Sequence, residues 1–596
     1  MKSTAILPIA RALPILVGAW IGMAFCLLGS HSVANDSSTQ EPVLIFVNGK
    51  IVTVDKDFSV AEAMAIQGER IIAVGPQAEV HKLAAEAGPV QATVDLAGRM
   101  VLPGLIDTHV HPPGASVFEF DHPVPAMESV ADVLAYIRQR ASVLPEGQWI
   151  RIQQVFITRL RERRYPTRQE LDEAAPRHPV VFRTGPDAVL NSLALQLCGI
   201  TKDFEIRDGL PGKIERDPVT GEPTGVLRNC ARFIKYQSPE RSPGFEDRVN
   251  ALRQLLAAYN EVGITSVVDR SVGEGSIELY QTLLNRGQLT CRVFLTYYVN
   301  AQGSWEGIEK GVQFVKSHPL NQYNPWLWLR GIKFFLDGGM LTGSAYMKEP
   351  WGVSQIYSID DPEYRGVLFV EPEPLAKLVR YILENDLQPT AHCVGDGAVE
   401  ALVNAYVKAA NVISLREKRP CLSHANFMTP EAIRLMAEHG IVADMQPVWL
   451  FLDGQTLQEH FGQKRLRYFQ PYRTLFDQGV TVAGGSDHMQ KIGRYRAINS
   501  YDPFLGMWTA ITRLPRGSDQ PLHPEESLSR AEAIRLYTIN GAYLTFEEKI
   551  KGSLEPGKLA DFIVLDRDIL TCPVDEIKDT KVLETWVGGK CVYRAQ

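Results

Sequence analysis

The stretch VLPGLIDTHVHP, residues 101–112, decides how the fold is read. It begins as an apolar run and ends in Asp107-Thr108-His109-Val110-His111. Side chains alternate along a strand, so His109 and His111 leave this one on the same face. The pattern of an apolar run ending in a polar, chemically competent residue recurs downstream. Candidate strands lie at 101–107, 263–270, 291–299, 329–337, 387–394, 421–426, 441–447 and 480–486. Several are rich in branched apolar residues, as strands of a buried parallel sheet are. Amphipathic helices fall between them. Residues 374–385 put Leu375, Leu378, Val379, Ile382 and Leu383 on one helical face. Thr429-Pro430 starts a helix that Gly440 stops. Ser529 with Glu532 three residues later is a capping box. Eight strands alternating with helices predict an α/β fold, a (β/α)8 TIM barrel.

The flanks read differently. Residues 43–99 hold short strand-like runs with turn signals at Asn48-Gly49 and Gln67-Gly68, and the last 45 or so residues do the same with Gly588-Gly589. Neither piece is large enough for a good core alone. They are therefore expected to pair into one composite β-sandwich, with the barrel inserted between them. The interval from 112 to 262 is too long for one connection and predicts an inserted α/β subdomain after barrel strand 1. The expected organisation is a leader at 1–34, sandwich at 35–99, barrel at 100–550 with its insertion at 112–245, and sandwich again at 551–596.

Chemistry in a barrel sits at the C-terminal ends of the strands. There the sequence offers His109 and His111 on strand one, Lys333 on strand four, His392 on strand five, His424 on strand six and Asp487 on strand eight. Neutral imidazoles and a carboxylate suit Zn2+ or a similar divalent ion, one or two per chain. One ion would take His109, His111 and Asp487, and a second would take His392 and His424. Lys333 cannot ligate as an ammonium. As a carbamate formed with carbon dioxide it could bridge two ions, and Asp337 close by is the alternative, a salt-bridge partner for it. Asp487 is both ligand and the candidate catalytic proton shuttle. Phe427, Trp449, Phe451, Tyr346 and Trp351 lie where they could line an apolar pocket, and His488 could reach it if strand eight has already ended. His81, His122, His178, His318, His460 and His523 read as surface residues, and the RLRERR run at 159–164 as a solvated face.

These stretches resemble the metal-dependent amidohydrolase superfamily, in its YtcJ-like, amidohydrolase-3 branch, which includes N-substituted formamide deformylases. The matching segments are VNGKIVTVD, VDLAGRMVLPGLIDTHVHP, DPVTGEPTGVL, IKFFLDGGM, AHCVGDGAVEA, LSHANF, GGSDHM, EAIRLYTINGAYLTF and GSLEPGKLADFIVLDRD, and they span about residues 43–593. The resemblance implies a metal-bearing barrel, a sandwich built from both termini, and hydrolysis of carbon–nitrogen bonds other than peptide bonds in a small-molecule substrate. The chain departs from the branch in RTGPDAVLNSLAL, where a histidine is usual before the NSxAL segment and Asp187 stands nearby, and in GSDHM where GSDAP is usual. Both places are expected to face substrate. The same site on another bond would make a lactonase, esterase, phosphotriesterase or deaminase. A non-catalytic scaffold protein would be expected to lose ligands, and none is lost here.

Composition sets outer bounds. The 596 residues are 45% apolar and 22% charged, ordinary for globular chains and unlike disordered or fibrous ones. A net charge of −7 disfavours nucleic acid as a partner. Lys2 and Arg11 followed by the uncharged run Leu13 to Gly29 and by Ser32-Val33-Ala34 read as an export signal cleaved before Asn35. The mature chain would then be periplasmic or secreted, with no membrane contact, and the alternative is an uncleaved anchor. Homo-oligomerisation stays open. Beyond Cys26 in the leader, seven cysteines stand singly with no CxxC pair, so neither a disulfide framework nor a thiolate zinc site is expected. Mass spectrometry of the exported protein is expected to find Asn35 as its first residue. An intact residue 1–34 segment on membrane-bound protein would establish the anchor instead.

Overall fold

A computed structural model describes residues 41–494 and 496–596. The leader reading, with Cys26, lies outside the described residues. All eight expected barrel strands are present: β1 (Leu105–Val110), β2 (Ile264–Val272), β3 (Arg292–Tyr298), β4 (Leu327–Phe335), β5 (Gln388–Cys393), β6 (Cys421–His424), β7 (Val442–Met445) and β8 (Val482–Gly484). They pair in chain order as one parallel sheet. The ring closes where β8 meets β1. Val110 bridges His488, the Asp487 amide donates to the His109 carbonyl at 2.7 Å, and Thr108 Oγ1 donates to the Gly484 carbonyl at 3.0 Å. The fold class is the one the alternating pattern leads one to expect.

The helices follow their sequence signals closely. Pro372–Glu384 buries Leu375, Leu378, Val379, Ile382 and Leu383, the face read from their spacing. The helix Pro430–His439 is capped by the Thr429 hydroxyl and ends at Gly440. Ser529 and Glu532 form the reciprocal capping box at the head of Arg530–Leu536.

The first expected strand needs correction. Residues 101–107 are not one strand. Met100–Pro103 belongs to a different sheet, and β1 starts only at Leu105. Gly104 is the crossing point, and a Cβ there would stand 2.2 Å from Thr265 Oγ1. The close approach of β2 thus requires a glycine at the junction. Met100–Pro103 pairs with Lys50–Val52 on one side and with Phe562–Leu565 on the other. Both ends of the chain therefore meet in one six-stranded sheet. A four-stranded sheet that includes Val43–Val47 faces it, and Phe46, Phe562 and Trp586 pack between the two with ring centroids 5.1–5.4 Å apart. Asn48-Gly49 does not make a hairpin. The strands before and after it, Val43–Val47 and Lys50–Val52, lie in different sheets, so this turn carries the chain across the sandwich.

The segment after β1 builds its own five-stranded sheet from strands between Ile150 and Arg228. Sandwich and barrel are joined by a buried ion pair. Arg292 on β3 contacts both carboxylate oxygens of Asp561 at 2.6 and 3.0 Å, and that carboxylate also accepts the Gly588 amide at 2.8 Å. Removing one partner of a buried pair strands the other charge, at a cost of about 3–5 kcal/mol. Asp561→Ala is therefore expected to lower the thermal midpoint markedly, and Arg292→Met in the same chain to recover part of the loss. An unchanged midpoint in the single variant would contradict this role.

Candidate metal centre

The six residues expected at the strand ends line one cavity of about 360 Å³. Gly485 brings β8 in. A Cβ there would lie 2.8 Å from the His109 amide nitrogen and Cβ, so only a glycine lets this turn press against β1. As a result Asp487 Oδ1 stands 3.2 Å from His111 Nε2 and 3.6 Å from His109 Nε2. His109, His111 and Asp487 offer donor atoms within 4.8 Å of one another and could hold a metal ion. His392 and His424 face the same cavity outside that triplet. The His424 ring centroid lies 4.6 Å from those of both His109 and His392. His424 and Asp487 carry left-handed backbone, φ 75° and 54°. Non-glycine residues adopt this at a cost of order 1–3 kcal/mol.

The donor chemistry fits a divalent cation. Burial holds the His109 and His424 imidazoles well below their ordinary pKa and lowers His392 to about 3. All three are neutral bases, the form that ligates. Burial also acts against the charged form of His111, but the hydrogen bond and charge of Asp487 raise it overall. Burial raises the Asp487 carboxyl. Lys333 is buried, its Nζ has no hydrogen-bond partner, and burial lowers it to about 8. Asp337 is not its salt-bridge partner. Asp337 instead accepts the Tyr346, Val394 and Gly395 amides at 2.9–3.0 Å, tying the loop after β4 to the end of β5.

Residues that the strand-end reading missed orient the ones it found. Asp444 on β7 accepts from His109 Nδ1 at 2.7 Å, and Gln446 Oε1 accepts from His424 Nδ1 at 2.7 Å. Each partner fixes the protonated nitrogen as Nδ1 and turns Nε2 toward the cavity. Asp107, whose carboxyl burial raises to about 7, accepts the His109 and Ser486 amides and locks the two strand ends together. Asn499 donates to the Asp487 carbonyl at 2.7 Å, and its own Oδ1 accepts from Arg159 at 2.8 Å. Arg159 belongs to the RLRERR run, yet it is largely buried against Asp453. A polar residue inside a buried strand, as in VADMQ, was the available signal for Asp444.

Other expectations resolve individually. His488 turns away from the cavity, bonded to Tyr259 through Nδ1 and to the Gln490 and Lys491 carbonyls through Nε2. Met489 lines the cavity instead. Thr184, Gly185 and Pro186 line it as well, while Asp187 is buried against the Asn229 amide and Ser344. Of the five aromatic candidates Trp449 is in the wall, stacked on His424 at 5.0 Å. His178 is not a surface residue. It is buried, with Nδ1 at 3.0 Å from the Gln148 carbonyl. None of the seven described cysteines is in a disulfide.

Comparison with known proteins gives a consistent picture. A family model described as "Amidohydrolase family" matches residues 92–593. The N-substituted formamide deformylase of Arthrobacter pascens is 30% identical over 93% of this chain and 99% of its own. Protein LONG AFTER FAR-RED 3 of Arabidopsis thaliana is 28% identical over 92% of this chain and 91% of its own. A crystal structure of an uncharacterized metal-dependent hydrolase from Pyrococcus horikoshii superposes with a TM-score of 0.63 at 21% identity, covering 89% of this chain and 99% of that one.

Replacing an orienting partner of a ligating histidine typically costs about 10–100-fold in metal affinity. Gln446→Leu is therefore expected to release metal to a chelator at a correspondingly lower chelator concentration. Retention equal to that of the unaltered chain would remove Gln446 from this role.

Proposed function

The chain belongs to the amidohydrolase family, and on that premise we propose that it hydrolyses a carbon–nitrogen bond, other than a peptide bond, of the amide, N-acyl or N-formyl type in a small molecule. The observation that carries this reading is the convergence of four imidazoles, the Asp487 carboxylate and a buried lysine without a hydrogen-bond partner in a single cavity at the C-terminal ends of the barrel strands. His109, His111 and Asp487 would hold one divalent cation, and His392 and His424 a second. Zn2+ suits this donor set best. Bound there, a divalent cation would supply Lewis acidity and would make a water easier to deprotonate near neutral pH.

The chain's own residues do the rest. Lys333 gains a function if its amine adds carbon dioxide, forming a new N–C bond and losing a proton, because the resulting carbamate presents oxygens to the histidine cluster where the ammonium presents none. Asp487 takes the proton lost by the attacking water and delivers it to the departing nitrogen. Its carboxylate is suited to this, since burial raises its affinity for a proton. Asn499 holds the Asp487 backbone in place while the proton moves. Asp444 and Gln446 keep His109 and His424 in the tautomer that leaves Nε2 unprotonated and turned toward the cavity, the form that ligates a cation. Export through residues 1–34 is part of the proposal and places the reaction outside the cytoplasm.

Asp487→Asn preserves shape and an oxygen donor but cannot accept a proton as the carboxylate does. Its turnover of an N-acyl amide is expected to fall about 100- to 10,000-fold while elemental analysis still finds bound metal. Undiminished turnover would contradict the shuttle.

A further inference from the structure

Among the described residues, the wall of the cavity above the histidine cluster carries one ionisable side chain, Asp337, whose carboxylate is taken up by backbone amides, and this bears on what the enzyme acts on. Phe156, Phe335, Leu341, Val394, Trp449 and Met489 supply large apolar side chains to it. Phe335 lies against His392 with ring centroids 5.1 Å apart, as Trp449 does against His424, so the apolar surface begins at the ligands themselves. Apart from Asp337, the polar groups in the wall are neutral. They include Gln154, Thr184 and the indole nitrogen of Trp449, and the Thr184 hydroxyl and that indole nitrogen are buried without a hydrogen-bond partner.

Cations near the wall are engaged elsewhere. Arg159, three residues after Phe156, is held by Asp453 and Asn499. Lys491, two after Met489, donates to the Pro125 carbonyl at 3.3 Å. Arg183 precedes Thr184 on a strand, where alternation sends it to the opposite face, and its guanidinium reaches the Gly185 carbonyl at 3.2 Å. Arg228 is fully buried against the Thr342 and Tyr357 carbonyls. Of the anions, Asp337 accepts three backbone amides and stands 3.8 Å from His392 Nε2. Lys333 and Asp487 lie in the floor, among the histidines.

We propose that the substrate is a neutral amide bearing an uncharged apolar arm of about aromatic-ring size, and not an N-acyl amino acid or an N-acylated diamine. A carboxylate or ammonium on that arm would be buried against carbon with no partner, which is strongly unfavourable. The insertion after β1 contributes Gln154, Phe156 and Thr184–Pro186 to this wall. The inference rests on the hydrolytic reading of the site, and the test below separates the two.

Three ligands share one acetamide: N-acetyl-2-phenylethylamine, N-acetylphenylalanine, which adds only a carboxylate, and monoacetyl-1,4-diaminobutane, which carries an ammonium. Ligand-observed NMR on the metal-stripped full chain is expected to show binding of the neutral amide, with neither charged analogue displacing it at about a hundredfold excess. On metal-loaded enzyme, kcat/KM for the neutral amide is expected to exceed that for the other two by at least about 100-fold. Met489→Arg is expected to bring N-acetylphenylalanine into the site. Equal or tighter binding of a charged analogue, or no binding of the neutral amide, would overturn the proposal. Binding of the neutral amide without turnover would support the wall's assignment and count against the hydrolytic reading alone.

Discussion

One buried carboxylate ties the working end of the barrel together. Asp444 on β7 is fully buried, and five side chains converge on it, the Cys421 thiol at 3.6 Å among them. Arg270 from β2 meets Oδ2 at 2.8 Å, Ser423 from β6 donates to the same oxygen at 2.9 Å, and His109 from β1 and Gln446 share Oδ1 at 2.7 and 3.1 Å. Arg270 in turn donates to the Thr108 carbonyl and to Thr390 on β5. A buried, fully satisfied network of this kind is rigid, because breaking any member leaves a charge or donor without a partner. It fixes the relative positions of strands that sequence separates by hundreds of residues. The orientation of His109 and, through Gln446, of His424 follows from it.

Much of this was legible in the sequence because period and position carry the information. Eight apolar runs gave the strands, and reading the residue at each strand end gave His109, His111, Lys333, His392, His424 and Asp487, which share one cavity. What was not legible depends on contacts between distant segments. Asp444 looks like any polar residue in a strand until Arg270 and His109 are beside it. His488 and Asp187 sit next to lining residues in sequence yet turn away, because a turn of one residue decides which side chain faces in. Arg159 lies in a run that reads as solvated, but Asp453, nearly three hundred residues on, buries it. The break at Gly104 was hidden for the same reason, since only the approach of Thr265 makes a glycine necessary there.

The division of labour among the parts follows the same logic. The strand ends supply the donors and the network under them supplies rigidity. The inserted segment after β1 carries much of the wall, and the loops after β4 and β8 carry most of the rest. Those parts can change the arm they accept without disturbing the donors. The two departures from the family pattern, at RTGPD and GSDHM, both fall in that wall, at Thr184–Pro186 and at Met489.

The central claim is that the cluster of His109, His111, Lys333, His392, His424 and Asp487 is a metal centre. Elemental analysis of the full chain, purified without chelator, alongside the variant His109→Ala/His111→Ala, tests it most directly. The account predicts one or two divalent ions per chain, with zinc predominant, and a loss of at least one of them in the variant. Metal at trace level in the unaltered protein, or the same stoichiometry in both, would contradict it.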